Sequence, residues 1–155
     1  MLNLEPIELI LRAIPEGFLY MLGVYIISRN NLEKYKYILS SIIIGVSVYI
    51  FRLLPISYGV HTILTILLVI FLSNIYNKIE VVSVIKSTII IFIIQFLSEG
   101  LNILILKLIP NLDLDKLFNI PIYKNLLGIP SLIISLLILI VMKKYIYKKK
   151  DNKDE

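Results

Sequence analysis

The stretch "VVSVIKSTIIIFIIQFLSEGLNILILKLI", residues 81–109, decides the fold class. A run of about 18 or more mostly apolar residues is long enough to cross the hydrocarbon core of a bilayer as a helix. This run carries only Lys86, Glu99 and Lys107 as charged residues. Inside it, Gln95, Glu99 and Asn102 follow one another at spacings of four and then three residues. That spacing puts all three on one helix face, with Ser98 beside them.

Working outward, segments of the same character recur along the chain. The expected spans are 7–28, 37–54, 58–76, 84–107 and 123–142, followed by a basic tail over 143–155. Of the 155 residues, 58% are hydrophobic and 17% charged, and the mean hydropathy is +0.88. Soluble domains of this length carry fewer apolar and more charged residues and cannot bury five such segments. The chain therefore reads as a single membrane domain: an all-α, polytopic bundle of five transmembrane helices. It has no cysteine, which excludes disulfides, thiolate metal sites and cysteine nucleophiles. Met1 to Pro6 has no Lys or Arg and carries Glu5, and no small-x-small site follows, so no cleavable signal peptide is expected.

The links are short. "RNNLEKYK" (29–36) is polar and basic, "RLLPISYG" (52–59) is punctuated by Pro55 and Gly59, and Asn77, Lys78 and Glu80 form a third link. Prolines bracket "PNLDLDKLFNIP" (110–121), where Leu114, Leu117 and Phe118 would lie on the membrane surface with Asn111 or Asp113 as cap. Asp113 and Asp115 read as surface caps, because two loop carboxylates make a poor metal site.

Lysine and arginine then set the orientation. Arg29, Lys34, Lys36, Lys78, Lys86 and the six lysines from Lys143 to Lys153 fall on one side; Arg52, Lys107, Lys116 and Lys124 fall on the other. The richer side faces the cytoplasm. The N-terminus is thus expected outside and the C-terminus inside, with Tyr145 and Tyr147 anchoring the tail at the interface. The basic residues serve topology, and nucleic acid is not an expected partner.

Polar residues then sort by depth. Glu8, Arg12 and Glu16 recur every four residues on the first span. Glu16 lies about 12 Å deeper than Glu8, and Glu99 lies about 12 Å below Lys107, at 1.5 Å per residue. Arg52 ends the second span and His61 begins the third. The outer halves of the spans thus hold three acids, two arginines and the sole histidine, while the inner halves are almost purely apolar. A lone charge at mid-bilayer costs about 2.5–3.5 kcal/mol on insertion scales. The expectation is an inward-facing cluster of Glu8, Arg12, Glu16, Arg52, His61, Gln95, Glu99 and Asn102, with Arg52 and His61 closing the top. A protonated His61 or Glu99 would balance its charge. Pro15 removes a backbone donor and frees the Leu11 carbonyl. Two roles stay open: a ligand- or peptide-facing pocket, or polar contacts that merely join helices. Ser41 and Gly45 read as a small-xxx-small packing pair.

Enzyme chemistry is not expected. One histidine permits neither HExxH nor a paired-histidine metal site, no Gly-x-Ser-x-Gly elbow is present, and no glycine-rich phosphate loop occurs. No cofactor or metal is implied.

The pieces "IPEGFLY" (14–20), "RLLPISYGVHTIL" (52–64) and "QFLSEGLN" (95–102) resemble the multi-span input regions of membrane histidine kinases from low-GC Gram-positive bacteria. The resemblance covers about residues 5 to 107. It implies a receptor-like bundle in a bacterial cytoplasmic membrane, with an outward-facing sensor pocket. The Ile-, Lys- and Asn-rich composition suits such a source. The 13 residues after Met142 hold no phosphoacceptor helix or ATP-binding domain, so signalling would pass through a partner protein. The leading expectation is a regulatory module that binds an external small molecule or peptide. The rivals are a small transport component, with Glu16 and Glu99 as proton or cation sites, and a structural or immunity-type binding protein.

Overall fold

The computed structural model describes residues 6–55, 58–109 and 120–151. Every regular element among the described residues is helical. Helix α1 covers Pro6–Ile27 and includes a π turn at Leu9–Ala13. α2 covers Lys34–Leu53. α3 runs through Tyr58–Phe71 and ends in a π turn at Leu72–Tyr76. α4 covers Val81–Lys107 and α5 covers Pro121–Asp151. All five are long and apolar enough to cross a membrane.

Three boundaries differ from the expected spans. α2 begins at Lys34 inside the basic link, α4 begins at Val81, and α5 carries its helix to Asp151 through the basic tail. For α2 and α5 the reason is the same. Lysine, glutamate and tyrosine end a hydrophobic run without ending a helix, since straight-chain charged residues are good helix formers. Polarity marks where a span would leave lipid, and the backbone follows its own rules. The expected surface helix around Leu114, Leu117 and Phe118, with its caps Asn111, Asp113 and Asp115, lies outside the described residues.

Successive helices alternate in direction, as the contacts at each end show. At the upper end, Arg52 near the close of α2 reaches Glu8 and Glu16 on α1. At the lower end, Asn77 just past α3 bonds Tyr25 on α1 and Ser40 on α2. Two of the lower turns need a left-handed residue, which Arg29 (φ 57°) and Lys78 (φ 56°) supply instead of glycine.

α1 is the hub, packed against α2, α4 and α5. Small residues allow this. A Cβ on Gly17 would meet the Ser41 carbonyl and lie 2.7 Å from the Gly45 nitrogen. A Cβ on Gly45 would sit 2.8 Å from Ile14 Cα and 2.9 Å from the Ala13 carbonyl oxygen. The two backbones therefore cross in direct contact, as small-xxx-small pairs allow. On the α4 side, Ile91 fills the space beside Gly23. Met21, Val24, Ile44, Val69, Val84, Ile91 and Leu139 are wholly buried around this hub.

The surface is inverted relative to a soluble protein. Ile63, Leu67, Phe71 and Ile75 form an exposed row on α3, and Ile133, Leu137, Ile140 and Val141 another on α5. Meanwhile Ser40, Ser73, Thr88, Gln95, Ser98, Asn102, Ser131 and Ser135 are buried. Exposed apolar area on this scale is foreign to a soluble monomer.

Candidate functional site

The polar cluster sits at the upper end, beneath the turn that joins α2 to α3. Its centre is Arg52, which ends α2 with its guanidinium turned back over α1. Arg52 Nη1 donates to Glu8 Oε1 at 3.2 Å, and Nη2 donates to Glu16 Oε2 at 2.6 Å. One guanidinium thus binds two carboxylates, a use of its fixed fork of donors that a lysine could not copy.

The backbone of α1 makes this double grip possible. An uninterrupted α-helix advances about 100° per residue, which would set Glu16 about 80° around the axis from Glu8. The π turn at Leu9–Ala13, in which the Ile14 N–H bonds the Leu9 carbonyl, intervenes. A π turn advances only about 80° per residue, which brings the two carboxylates nearly onto one meridian. Pro15 stands at the second residue after that turn. Its ring cannot tolerate the carbonyl four residues back in a regular α-helix, and the widened turn accommodates it.

Glu16 lies deep in the cluster. Its Oε1 accepts a 2.6 Å bond from the Tyr20 hydroxyl, one helical turn below. The Tyr20 ring stacks on Phe92 of α4, with centroids 4.6 Å apart and planes 14° from parallel. Arg12, between Glu8 and Glu16 in sequence, turns to α4 instead. Its Nη2 donates to Glu99 Oε1 at 3.0 Å. Gly128 on α5 leaves room for this guanidinium: a Cβ there would lie 2.9 Å from Arg12 Nη1. Glu99 Oε1 also accepts from Gln95 Nε2 at 3.3 Å, and Gln95 Oε1 accepts from the Ser135 hydroxyl of α5 at 2.8 Å. A continuous chain thus runs from α1 through α4 to α5.

A cavity of about 60 Å³ opens between these groups. Glu16 and Tyr20 of α1, Arg52 of α2, His61 and Thr65 of α3, and Gln95, Phe96 and Glu99 of α4 all line it. His61 Nδ1 is buried and has no hydrogen-bond partner. The His61 carbonyl accepts from the Thr65 hydroxyl at 2.9 Å. Counted as ions, Glu8, Glu16 and Glu99 outnumber Arg12 and Arg52 by one negative charge.

Seven of the eight residues expected to meet therefore share this network or its cavity. Asn102 departs from expectation. Its amide donates to the Leu127 carbonyl of α5 at 2.6 Å and does not face the Glu8/Arg12/Glu16 stripe. The reason is angular: Asn102 lies three residues past Glu99, about 60° short of a full turn, and α5 covers that side. Nearby, Asn125 of α5 is fully buried with both amide atoms unpartnered. The residues not anticipated are Tyr20, Gln95's partner Ser135, and Gly128. Tyr20 was open to discovery, because it stands four residues after Glu16. Ser135 and Gly128 lie on α5, and no spacing rule links them to α4 or α1.

The lower half is less purely apolar than expected. The Tyr25 hydroxyl donates to Asn77 Oδ1 at 2.8 Å, and Asn77 Nδ2 donates to Ser40 Oγ at 2.9 Å. This second node is closed on itself, whereas the upper one encloses space. Among the described residues no group of three or more His, Cys, Asp or Glu side chains could hold a metal ion. Comparison with protein-family models, with curated proteins and with solved structures found no match to this chain.

Proposed function

We propose that this protein is a membrane-embedded regulatory module that detects an external small molecule or peptide at its upper cavity and acts through a partner protein. The bundle presents apolar side chains outward and polar ones inward, which suits hydrocarbon as the surrounding solvent. The excess of Lys and Arg at the lower end supports a cytoplasmic position for that end and an outward-facing cavity, in what we take to be a bacterial cell membrane. One observation carries the functional reading: a space lined by polar side chains from four helices, three of which supply a carboxylate or a guanidinium, and by His61, whose Nδ1 is unpartnered. Polar contacts that only join helices close on one another, as Tyr25, Asn77 and Ser40 do. Intramembrane charges gathered around a cavity are the usual mark of a working site. A ligand that bridges α1 to α4 there would alter how the helices pack, and the basic helical end of α5 offers a partner a surface to read.

A transport role would require a polar path through the lower half, and the Tyr25–Asn77–Ser40 node does not provide one. The deciding experiment replaces Glu99 with Gln and Arg12 with Ala in the native host. Thermal unfolding of the purified variants is measured beside the host's transcript profile and the set of proteins that co-purify. Folded variants with an altered transcript profile support the reading. Variants as stable as the parent, with unchanged transcripts and partners, defeat it. Uptake of solute into liposomes by the purified protein would favour transport instead.

A further inference from the structure

We propose that the upper cavity binds a primary ammonium group, borne either by a small free amine or by the N-terminus of a short peptide. The inference rests on the proposed function only in taking this cavity as the place where a ligand is detected.

The charge balance selects the sign of the ligand. Among the described residues of the cluster, three carboxylates face two guanidiniums, and both terminal nitrogens of Arg52 are engaged by Glu8 and Glu16. Glu99 makes its contacts with Arg12 and Gln95 through Oε1, and Oε2 takes part in neither. A surplus negative charge in a confined space is costly unless a positive group joins it. An anionic ligand would add to the surplus and would find the Arg52 donors occupied.

The arrangement of acceptors selects an N–H donor. Glu99 and His61 both line the cavity, and a carboxylate and the unpartnered nitrogen of a neutral imidazole each carry lone pairs that can accept an N–H. An –NH₃⁺ group has three donors and can satisfy several acceptors at once. Aromatic surfaces complete the fit. Tyr20, Phe92 and Phe96 line the same space, and the Tyr20–Phe92 stack fixes two of these rings. Aromatic faces attract a cation within about 6 Å of the ring centre. The size sets an upper limit: about 60 Å³ admits a few water-sized groups, hence an ammonium head with one to three carbons.

The test uses the full-length protein in nanodiscs of zwitterionic lipid, at fixed pH and ionic strength. Methylammonium chloride should raise the unfolding temperature in a saturable way and bind by calorimetry. Sodium chloride and tetramethylammonium chloride, which lack N–H donors, should give at least a tenfold weaker response. Glu99→Gln should weaken methylammonium binding tenfold or more, and His61→Gln should weaken it several-fold. The second variant keeps the test decisive if the first unfolds. Glycylglycinamide with a free or an acetylated N-terminus separates the two sources: only the free form should bind, and a preference over methylammonium assigns the site to peptides. Equal responses to methylammonium and sodium would overturn the proposal. A response to pH with none to any amine would also overturn it, assigning the space to a proton. Amine binding without any change of cellular output in Glu99→Gln would sink the regulatory reading alone. Altered output without amine binding would sink only the present inference.

Discussion

Arg52 binds Glu8 and Glu16 with one guanidinium, and both carboxylates are almost wholly removed from solvent. Removing that side chain strands two buried acids at once. Breaking a buried pair by deleting one partner costs about 3–5 kcal/mol, mostly because the remaining charge is left uncompensated. Arg52→Ala should therefore lower stability by about that amount in denaturant unfolding in micelles. Arg52→Lys should recover only part of it, because an ammonium cannot span both acids with two parallel donors. The Lys36–Glu33 pair provides the contrast: it is 2.7 Å long but lies at an exposed helix start. Lys36→Ala should cost less than about 1 kcal/mol. Should Arg52→Ala prove as mild as Lys36→Ala, the upper cluster would be neither buried nor coupled.

Two features of α1 act at the level of whole elements. The first is the π turn before Pro15, which aligns Glu8 with Glu16. Pro15→Ala restores the missing donor and lets a regular α-helix form, which swings Glu8 about 80° away from Arg52. A double-mutant cycle measures this directly. Glu8→Gln should destabilise the parent and be nearly neutral in the Pro15→Ala background. The second feature is the contact of α1 with α2 at Gly17, Ser41 and Gly45. A methyl group at Gly45 would push against the Ile14 and Ala13 backbone, which cannot rotate away. Gly45→Ala should cost about 1–3 kcal/mol, as overpacking does. Gly100 on α4 has open space around its Cβ position. Gly100→Ala should be neutral or stabilising by up to about 1 kcal/mol, so the two glycines should give opposite signs. These elements also show what the sequence could and could not convey. The four-residue spacing of Glu8, Arg12 and Glu16, matched in depth by Glu99, was enough to foresee charged groups meeting across α1 and α4. The allocation of partners was not foreseeable, because an assumed α-helix places Glu8 and Glu16 on different meridians. Ser41–Gly45 was legible as a packing pair from its spacing, while its counterpart at Gly17 came to light only through the crossing of α1 and α2. Asn102 and Ser135 were decided by where α5 lies, which no local pattern encodes. Helices α2, α4 and α5 extend beyond the expected spans, because hydropathy reports the preferred solvent and not the backbone hydrogen bonding.

For the molecule as a whole, the proposed reading depends on which end faces outward. The five apolar helices follow from composition and run length, since runs of this length suit helices, which satisfy their own backbone groups, and exceed what a membrane-spanning strand needs. Their orientation rests on a different force, the bias of lysine and arginine toward the cytoplasmic side. That bias is large here, because the end bearing Arg29, Lys34, Lys36 and Lys78 also carries the basic end of α5. The native chain has no cysteine, so single introduced thiols report position without background. Leu32, in the link between α1 and α2, and Ile120, just before α5, are both exposed and lie at opposite ends of the bundle. In intact cells a membrane-impermeant maleimide should label Ile120→Cys readily and should label Leu32→Cys only after the membrane is opened. The two variants should label alike once the membrane is dissolved in detergent, which establishes that both thiols are reachable. The reverse pattern would turn the cavity beneath the α2–α3 turn toward the cytoplasm. The ligand would then have to be an internal one, and the bias that normally fixes topology would have been overridden by charge at the opposite end, where Glu8, Arg12 and Arg52 lie.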